Sequence, residues 1–395
     1  MAFTVLIAPS GFKESLSAPA AARCIADGVQ RALPGTRTLL APMADGGEGF
    51  TAALVDATGG TLHRRVVTGP VGRPVEAAFG ILGDGGAQRP LTAVIEMAAA
   101  AGLRLVPRDA RDPTRTTSYG VGELIAQALD AGVERILLGC GDSGVNDGGA
   151  GMAQALGARL LDAQGDEIGA GGGELARLAR IDLSQLDPRL LKVRLDAAVN
   201  WTNLLLGPRG VARVYGPQKG ATPEQVRELD GALENYAHCI RLATGRDIGY
   251  APGGGASGGL GAGFTALLGG TLHPRFEVVM QYLAFDRMLE HADLVITAEG
   301  SLDGQTPHGK VPAEVAARAK ARGVPVVALA GTLGDQVEVN LRHGIDAFTG
   351  MLARPCALDE AIADAQTLLR NAAADAMRLV RVGALLRLPL AEVQH

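Results

Sequence analysis

Apolar residues recur along this chain with two alternating periods. FTVLIA near the N-terminus is a continuous apolar run of strand length, and SAPAAARCIADGVQRAL repeats its apolar positions at helical spacing. Ser17 stands where an N-cap is expected, with Pro19 in the first turn. TRTLLAPM reads as a second strand that runs into ADGGEG, and FTAALVDAT as the helix beyond it. Strands and helices in alternation predict an α/β fold.

From Thr61 to Gly86 the texture changes. TLHRRVVTGPVGRPVEAAFGIL alternates and carries turn residues, which predicts antiparallel strands. Helix, strand and glycine loop then return in GVGELIAQALDAG, RILLGC and GDSGVNDGG, ahead of the helix AGMAQALGA. A helix over PEQVRELDGALENYAHCIRLA precedes a further glycine loop, PGGGASGGLGAG. The last third resumes strand, loop and helix: LVIT, then TAEGSLDGQTPHGK, then VPAEVAARAKARG, VPVVALAG, GIDAFTG and a long C-terminal helix. The two ends resemble each other and the middle differs. This predicts a discontinuous Rossmann-like α/β domain from residues 1–66 and 283–395, and an inserted α/β domain with a mixed sheet over residues 67–282.

A chain of 395 residues exceeds what one hydrophobic core normally serves, which agrees with two domains. The net charge of -5 argues against a nucleic-acid or anionic-membrane partner, either of which favours a basic face. Four scattered cysteines without a CxxC pair predict a reduced, cytoplasmic protein. The expected assembly is a monomer or homodimer. No apolar stretch reaches the ~18 residues of a membrane span. The seven histidines form no HxxH or HExxH pattern.

Glycine changes the picture most, at 55 residues, about twice the usual share of ~7%. Three glycine-rich loops follow apolar strands and precede helices: ADGGEG, GCGDSGVNDGG and TAEGSLDGQT. Ligands of open α/β sheets collect at the carboxyl ends of strands, where helix N-termini suit phosphate. Ordinary turns would explain the glycines, with Asp147 as a cap, but not the accompanying carboxylates. Those carboxylates make sense through Mg²⁺, which binds one or two of them together with phosphate oxygens. Asp147, Glu299 and Asp303 are the metal candidates; Lys13, Lys219 and Lys310 would offset phosphate charge. GCGDSG also satisfies GxGxxG, with Asp162 near the ribose-acid offset, so a dinucleotide oxidoreductase is a rival reading. GxxxxGK[ST] is absent.

The motifs APSGFKESLSA, PMADGGEG, IEMAAAAGL, RDPTRTTSYGVGEL, NDGGAGMAQALGA, GPQKGA and EGSLDGQTPHGKVP occur in the order seen in the bacterial glycerate kinase family. The chain resembles that family over nearly its whole length. The resemblance implies two α/β domains with a cleft between them and phosphorylation of D-glycerate, a small hydroxy acid, by ATP with Mg²⁺ at the 2-hydroxyl. It implies catalytic roles for Lys13, Asp45, Asp147 and Lys310. It also implies nucleotide contacts from Gly46, Gly47, Glu48, Gly141, Ser143, Gly148, Gly149, Lys219, Gly300 and Gln305. The chain departs from the family pattern at Ser10, Tyr119, Asp142, Asn200 and Ser301; Tyr119 and Ser301 each stand for an arginine, and the Asn200 motif loses an acid. These departures leave two neighbouring readings open: a paralogue with a less anionic substrate, and a nucleotide- or metabolite-binding homologue without turnover.

Overall fold

The computed structural model describes residues 3–12, 15–43, 46–83 and 90–386. Two compact units emerge, one from residues 1–44 and 279–395, the other from residues 45–278. In chain order the described strands are β1 (Thr4–Pro9), β2 (Arg37–Leu40), β3 (Thr61–Thr68), β4 (Pro74–Ile81), β5 (Thr92–Glu96), β6 (Arg135–Gly139), β7 (Arg159–Leu161), β8 (Arg180–Asp182), β9 (Arg194–Val199), β10 (Thr271–Pro274), β11 (Leu294–Leu302), β12 (Val326–Leu333) and β13 (Ala347–Gly350).

In the first unit a five-stranded sheet runs β13-β12-β11-β1-β2, and every neighbouring pair is parallel. Val5, Leu6 and Ile7 are wholly buried, as the unbroken apolar run of β1 requires of a strand covered on both faces. Each such side chain contributes roughly 1.5–3 kcal/mol of burial. Ser17 caps the helix Ala18–Ala32 through its hydroxyl, which accepts the Ala20 amide, and Pro19 sits in that helix's first turn.

In the second unit a six-stranded sheet runs β10-β9-β6-β5-β4-β3. Its β10, β9, β6 and β5 are parallel, while β4 and β3 are antiparallel additions at one edge. The mixed sheet expected of the inserted unit is therefore present. The long helix Pro223–Thr244 starts at a capping box in which Thr222 and Gln225 satisfy each other's backbone amides.

Three expectations differ from what is seen. The boundary placed at 66/67 falls inside β3, which pairs with β4 along its whole length. The helix Phe50–Thr58 also belongs to the second unit: Val55 and Thr51 pack so closely on Gly80 of β4 that a Cβ there would lie 2.3 Å from Val55. Next, Thr297–Leu302 is strand rather than loop. β11 continues past LVIT because β12 is long enough to pair with it as far as Leu302↔Leu333. Last, PGGGASGGLGAG is only partly loop. The helix Ala256–Ala266 covers it from Ala256 onward and contains a left-handed kink at Ser257, Gly258 and Gly259.

Candidate functional site

The carboxyl ends of β5, β6 and β9 gather the second unit's glycine loops. Gly46 and Gly47 pass beside the end of β6, and a Cβ on Gly141 would lie 2.6 Å from the Gly47 backbone. Only glycine permits that approach of two main chains. The turn Gly102–Leu105 docks onto the same loop. Leu103 donates its amide to Asp142 O (2.9 Å) and Gly144 donates to Ala101 O (2.8 Å). Asp142 adopts φ +50° and accepts the Glu48 amide on Oδ2 at 3.1 Å. The Glu48 carboxylate in turn pairs with Arg104 Nε at 3.0 Å. Glu96, the last residue of β5, accepts the Thr51 amide at 3.1 Å and so tethers the start of helix Phe50–Thr58 to the sheet. Burial pushes the Glu96 carboxyl up, opposed by that amide and by the Arg104 charge.

Beneath this rim lies a buried polar cluster. Asp147 is 1% exposed. Its Oδ2 accepts the Ser118 amide (2.7 Å), the Ser118 hydroxyl (2.8 Å) and the Gly151 amide (3.3 Å), while Oδ1 accepts the Gly149 amide at 3.2 Å. Burial pushes its carboxyl above the ordinary aspartate range, and the Ser118 and glycine donors pull it partly back. Lys219 is 2% exposed, and its Nζ donates to Ser143 Oγ (3.0 Å) and Val145 O (2.6 Å). Burial lowers its pKa to about 7 against the opposing attraction of Asp147. Gly148 and Gly149 are buried, and their neighbours are the backbone of the kinked segment: Gly148 donates to Gly258 O at 3.0 Å, and a Cβ on Gly259 would lie 2.9 Å from Gly148 Cα. A Cβ on Gly148 would lie 2.4 Å from the Tyr236 ring and one on Gly149 3.2 Å from Leu260 Cα, and both residues have positive φ. Asn146 is fully buried, and neither amide atom has a partner among the described residues. A water or a ligand group would relieve that cost.

The first unit holds the other predicted group. Glu299, Gly300 and Ser301 lie on β11, and the turn after it carries Asp303 and Gln305. Asp303 accepts the Gln305 amide (2.8 Å) and Lys310 Nζ at 3.2 and 3.3 Å. Burial acts upward on its carboxyl, but the Gln305 amide and Lys310 outweigh it and hold the group below the ordinary value. Lys310 also donates to Ser301 O at 3.3 Å and stands at the N-cap of the helix Val311–Lys320. Ser10, at the tip of β1, donates its hydroxyl to Ala298 O at 3.1 Å. Lys13 and Asp45 lie outside the described residues.

Among the described residues, no three carboxylate, imidazole or thiol groups gather as a metal cage. Both oxygens of Asp147 are engaged by four protein donors. The sequence reading did not single out Arg104, Glu96 or Ser118. Glu96 was accessible to the same strand-tip reasoning, since VIE ends a buried strand, but no glycine follows it. Arg104 and Ser118 carry no local signal, because their partners come from segments tens of residues away.

Glycine loops interlocked at the carboxyl ends of parallel strands, above buried ionisable groups, define a ligand-handling α/β protein of the open-sheet class. The sequence profile of the glycerate kinase family matches residues 5–381, and the chain belongs to that family. It is 50% identical to a Halalkalibacterium halodurans protein named glycerate kinase, over 94% of this chain and 96% of that one. It is 48% identical to the Escherichia coli protein named glycerate 2-kinase, over 90% and 92%. A crystal structure from Salmonella typhimurium LT2, of a protein described as a glycerate kinase 2, aligns with a TM-score of 0.83 at 46% identity, covering 98% of this chain and all of that one.

Proposed function

We propose that this protein is an ATP-dependent kinase that phosphorylates D-glycerate at the 2-hydroxyl, or a closely related small hydroxy acid. The observation that carries this reading is 48% identity over 90% of the chain with a glycerate 2-kinase. Phosphoryl transfer from ATP asks a protein mainly for positioning and charge stabilisation. The chain offers suitable groups in each unit.

Lys310 is the lysine we assign to the transferring phosphoryl group. Its side chain is 30% exposed, so it can exchange Asp303 for a phosphate oxygen. Lys219 is buried under the loop Gly141–Asp147, so its task is to hold that loop's carbonyl and hydroxyl in place. Gly46, Gly47, Gly141 and Ser143 bring main-chain donors to the strand tips, where a phosphate approaches closely. Lys13 is assigned to charge neutralisation and Asp45 to orienting or deprotonating the acceptor hydroxyl. Mg²⁺ binds through hard oxygen donors, usually one or two carboxylates beside the phosphates. Glu299 and Asp303 are carboxylates of that kind, close together in the chain, and would hold it; the ion would neutralise charge on the triphosphate.

The test is turnover with a panel of acceptors. ADP formation with D-glycerate and ³¹P NMR of the product as the 2-phosphate are expected. Preference for an uncharged polyol, or ATP-stabilised melting without ADP from any hydroxy acid, overturns the assignment.

A further inference from the structure

The rim of the second unit's strand tips is crowded with acid. Glu48, Glu96 and the exposed Asp142 all belong to the segments gathered at the ends of β5 and β6. A small hydroxy-acid anion approaching these tips meets repulsion unless a cation receives it. Lys219 is enclosed and donates inward to Ser143 and Val145. Arg104 is different: its side chain is 54% exposed and its partner Glu48 is 45% exposed. The pair approaches through Nε at 3.0 Å, and the Arg104 charge also acts on Glu96.

The backbone beneath Arg104 is fixed. A Cβ on Gly102 would lie 2.4 Å from Ala98 O, and one on Gly144 would lie 2.9 Å from Leu103 Cα. The amide of Leu103, one residue before Arg104, is bonded to Asp142, whose carboxylate holds the Glu48 amide. Three chain segments thus converge on one exposed guanidinium. The fork it presents matches a carboxylate in bidentate geometry.

We propose that Arg104 receives the carboxylate of the hydroxy-acid substrate, and that Glu48 holds the guanidinium in place until that carboxylate arrives. This rests on the kinase reading and makes Arg104 a specificity-determining residue. Glu48, expected from the resemblance to touch nucleotide, becomes a positioning residue.

The experiment compares wild type, Arg104→Gln and Arg104→Lys. KM is measured for D-glycerate and for ATP separately, and Kd for D-glycerate by calorimetry. The neutral carboxamide of D-glycerate serves as a second acceptor. Arg104→Gln should raise KM and Kd for D-glycerate roughly 10–100-fold, the loss expected for a charge-assisted bidentate contact. The KM for ATP should move less than about twofold, and Arg104→Lys should lie between. Wild-type preference for the acid over the carboxamide should collapse in Arg104→Gln. An active wild type with an unchanged acid KM in Arg104→Gln overturns this proposal and leaves the kinase reading standing. So does an equal loss for acid and carboxamide. A wild type that forms no ADP from D-glycerate overturns the kinase reading itself. Thermal melting of each variant separates misfolding from lost recognition, and the carboxamide comparison within each variant holds in either case.

Discussion

Lys219→Met replaces a buried ammonium by an apolar side chain of similar length. Two effects oppose each other. Burial lowers the lysine from 10.5 to about 7, which at about 1.4 kcal/mol per pH unit is a cost on the order of 5 kcal/mol to the folded state at low pH. Against it stand the hydrogen bonds to Ser143 Oγ and Val145 O, worth about 1.5–3 kcal/mol each when the donor is charged. The terms nearly cancel at pH 7, so the variant should lie within about 2 kcal/mol of wild type there. The pH dependence differs much more. Between pH 7 and 10.5 the unfolded chain holds a proton on Lys219 that the folded chain has released. Wild-type stability should therefore climb with pH through this window, the cost being full below pH 7 and relieved towards 10.5. Cys140, which burial pushes to about 12, pulls the other way above about pH 8.5, and Tyr236, which burial also raises, does so above about pH 10. Both act in wild type and variant alike. Urea midpoints of the two proteins from pH 6 to 9 isolate the lysine as a difference curve, which should fall in the variant's disfavour as pH rises. Parallel curves would refute the reasoning, since they require Lys219 to titrate normally and so to be hydrated.

Two further predictions follow from the same geometry. Ser118→Ala removes a hydroxyl that donates to Asp147 at 2.8 Å and accepts the Met152 amide at 3.0 Å, and should cost about 1–3 kcal/mol in urea unfolding. Gly141→Ala brings a Cβ to 2.6 Å from the Gly47 backbone and should destabilise by about 1–3 kcal/mol, whereas Gly300→Ala meets nothing within 4 Å and should melt like wild type. A fall in kcat/KM of at least about tenfold in Gly300→Ala would mark a close ligand approach at β11; unchanged kinetics would remove Gly300 from the nucleotide site.

Local chemistry was legible wherever a side chain answers to its own neighbours. Ser17 as a cap and the strand β1 follow from residues adjacent in the chain, as does the alternation behind β3 and β4. What was missed depends on partners far away in sequence. β11 outruns its apolar stretch because β12 supplies hydrogen bonds to Glu299 and Ser301, and nothing in TAEGSL announces that. Gly148 and Gly149 read as a phosphate loop, and the sequence does not show that Tyr236 and Leu260 pack against them, because those neighbours lie about ninety to a hundred and ten residues away. The hold of Ser118 on Asp147 is equally invisible in the sequence, because Ser118 comes from a segment about thirty residues earlier.

The first unit closes only when β1 pairs with β11, nearly three hundred residues later, whereas the second is one uninterrupted stretch. On a ribosome, the inner stretch can collapse into its final form while the leading strand has only the short β2 on one side and an open edge on the other. That strand, wholly apolar at Val5, Leu6 and Ile7, is the part most in need of shelter during synthesis. Shortening the gene from its 3′ end ahead of β11 should therefore yield a folded inner half whose leading β1–β2 pair keeps one sticky, open edge.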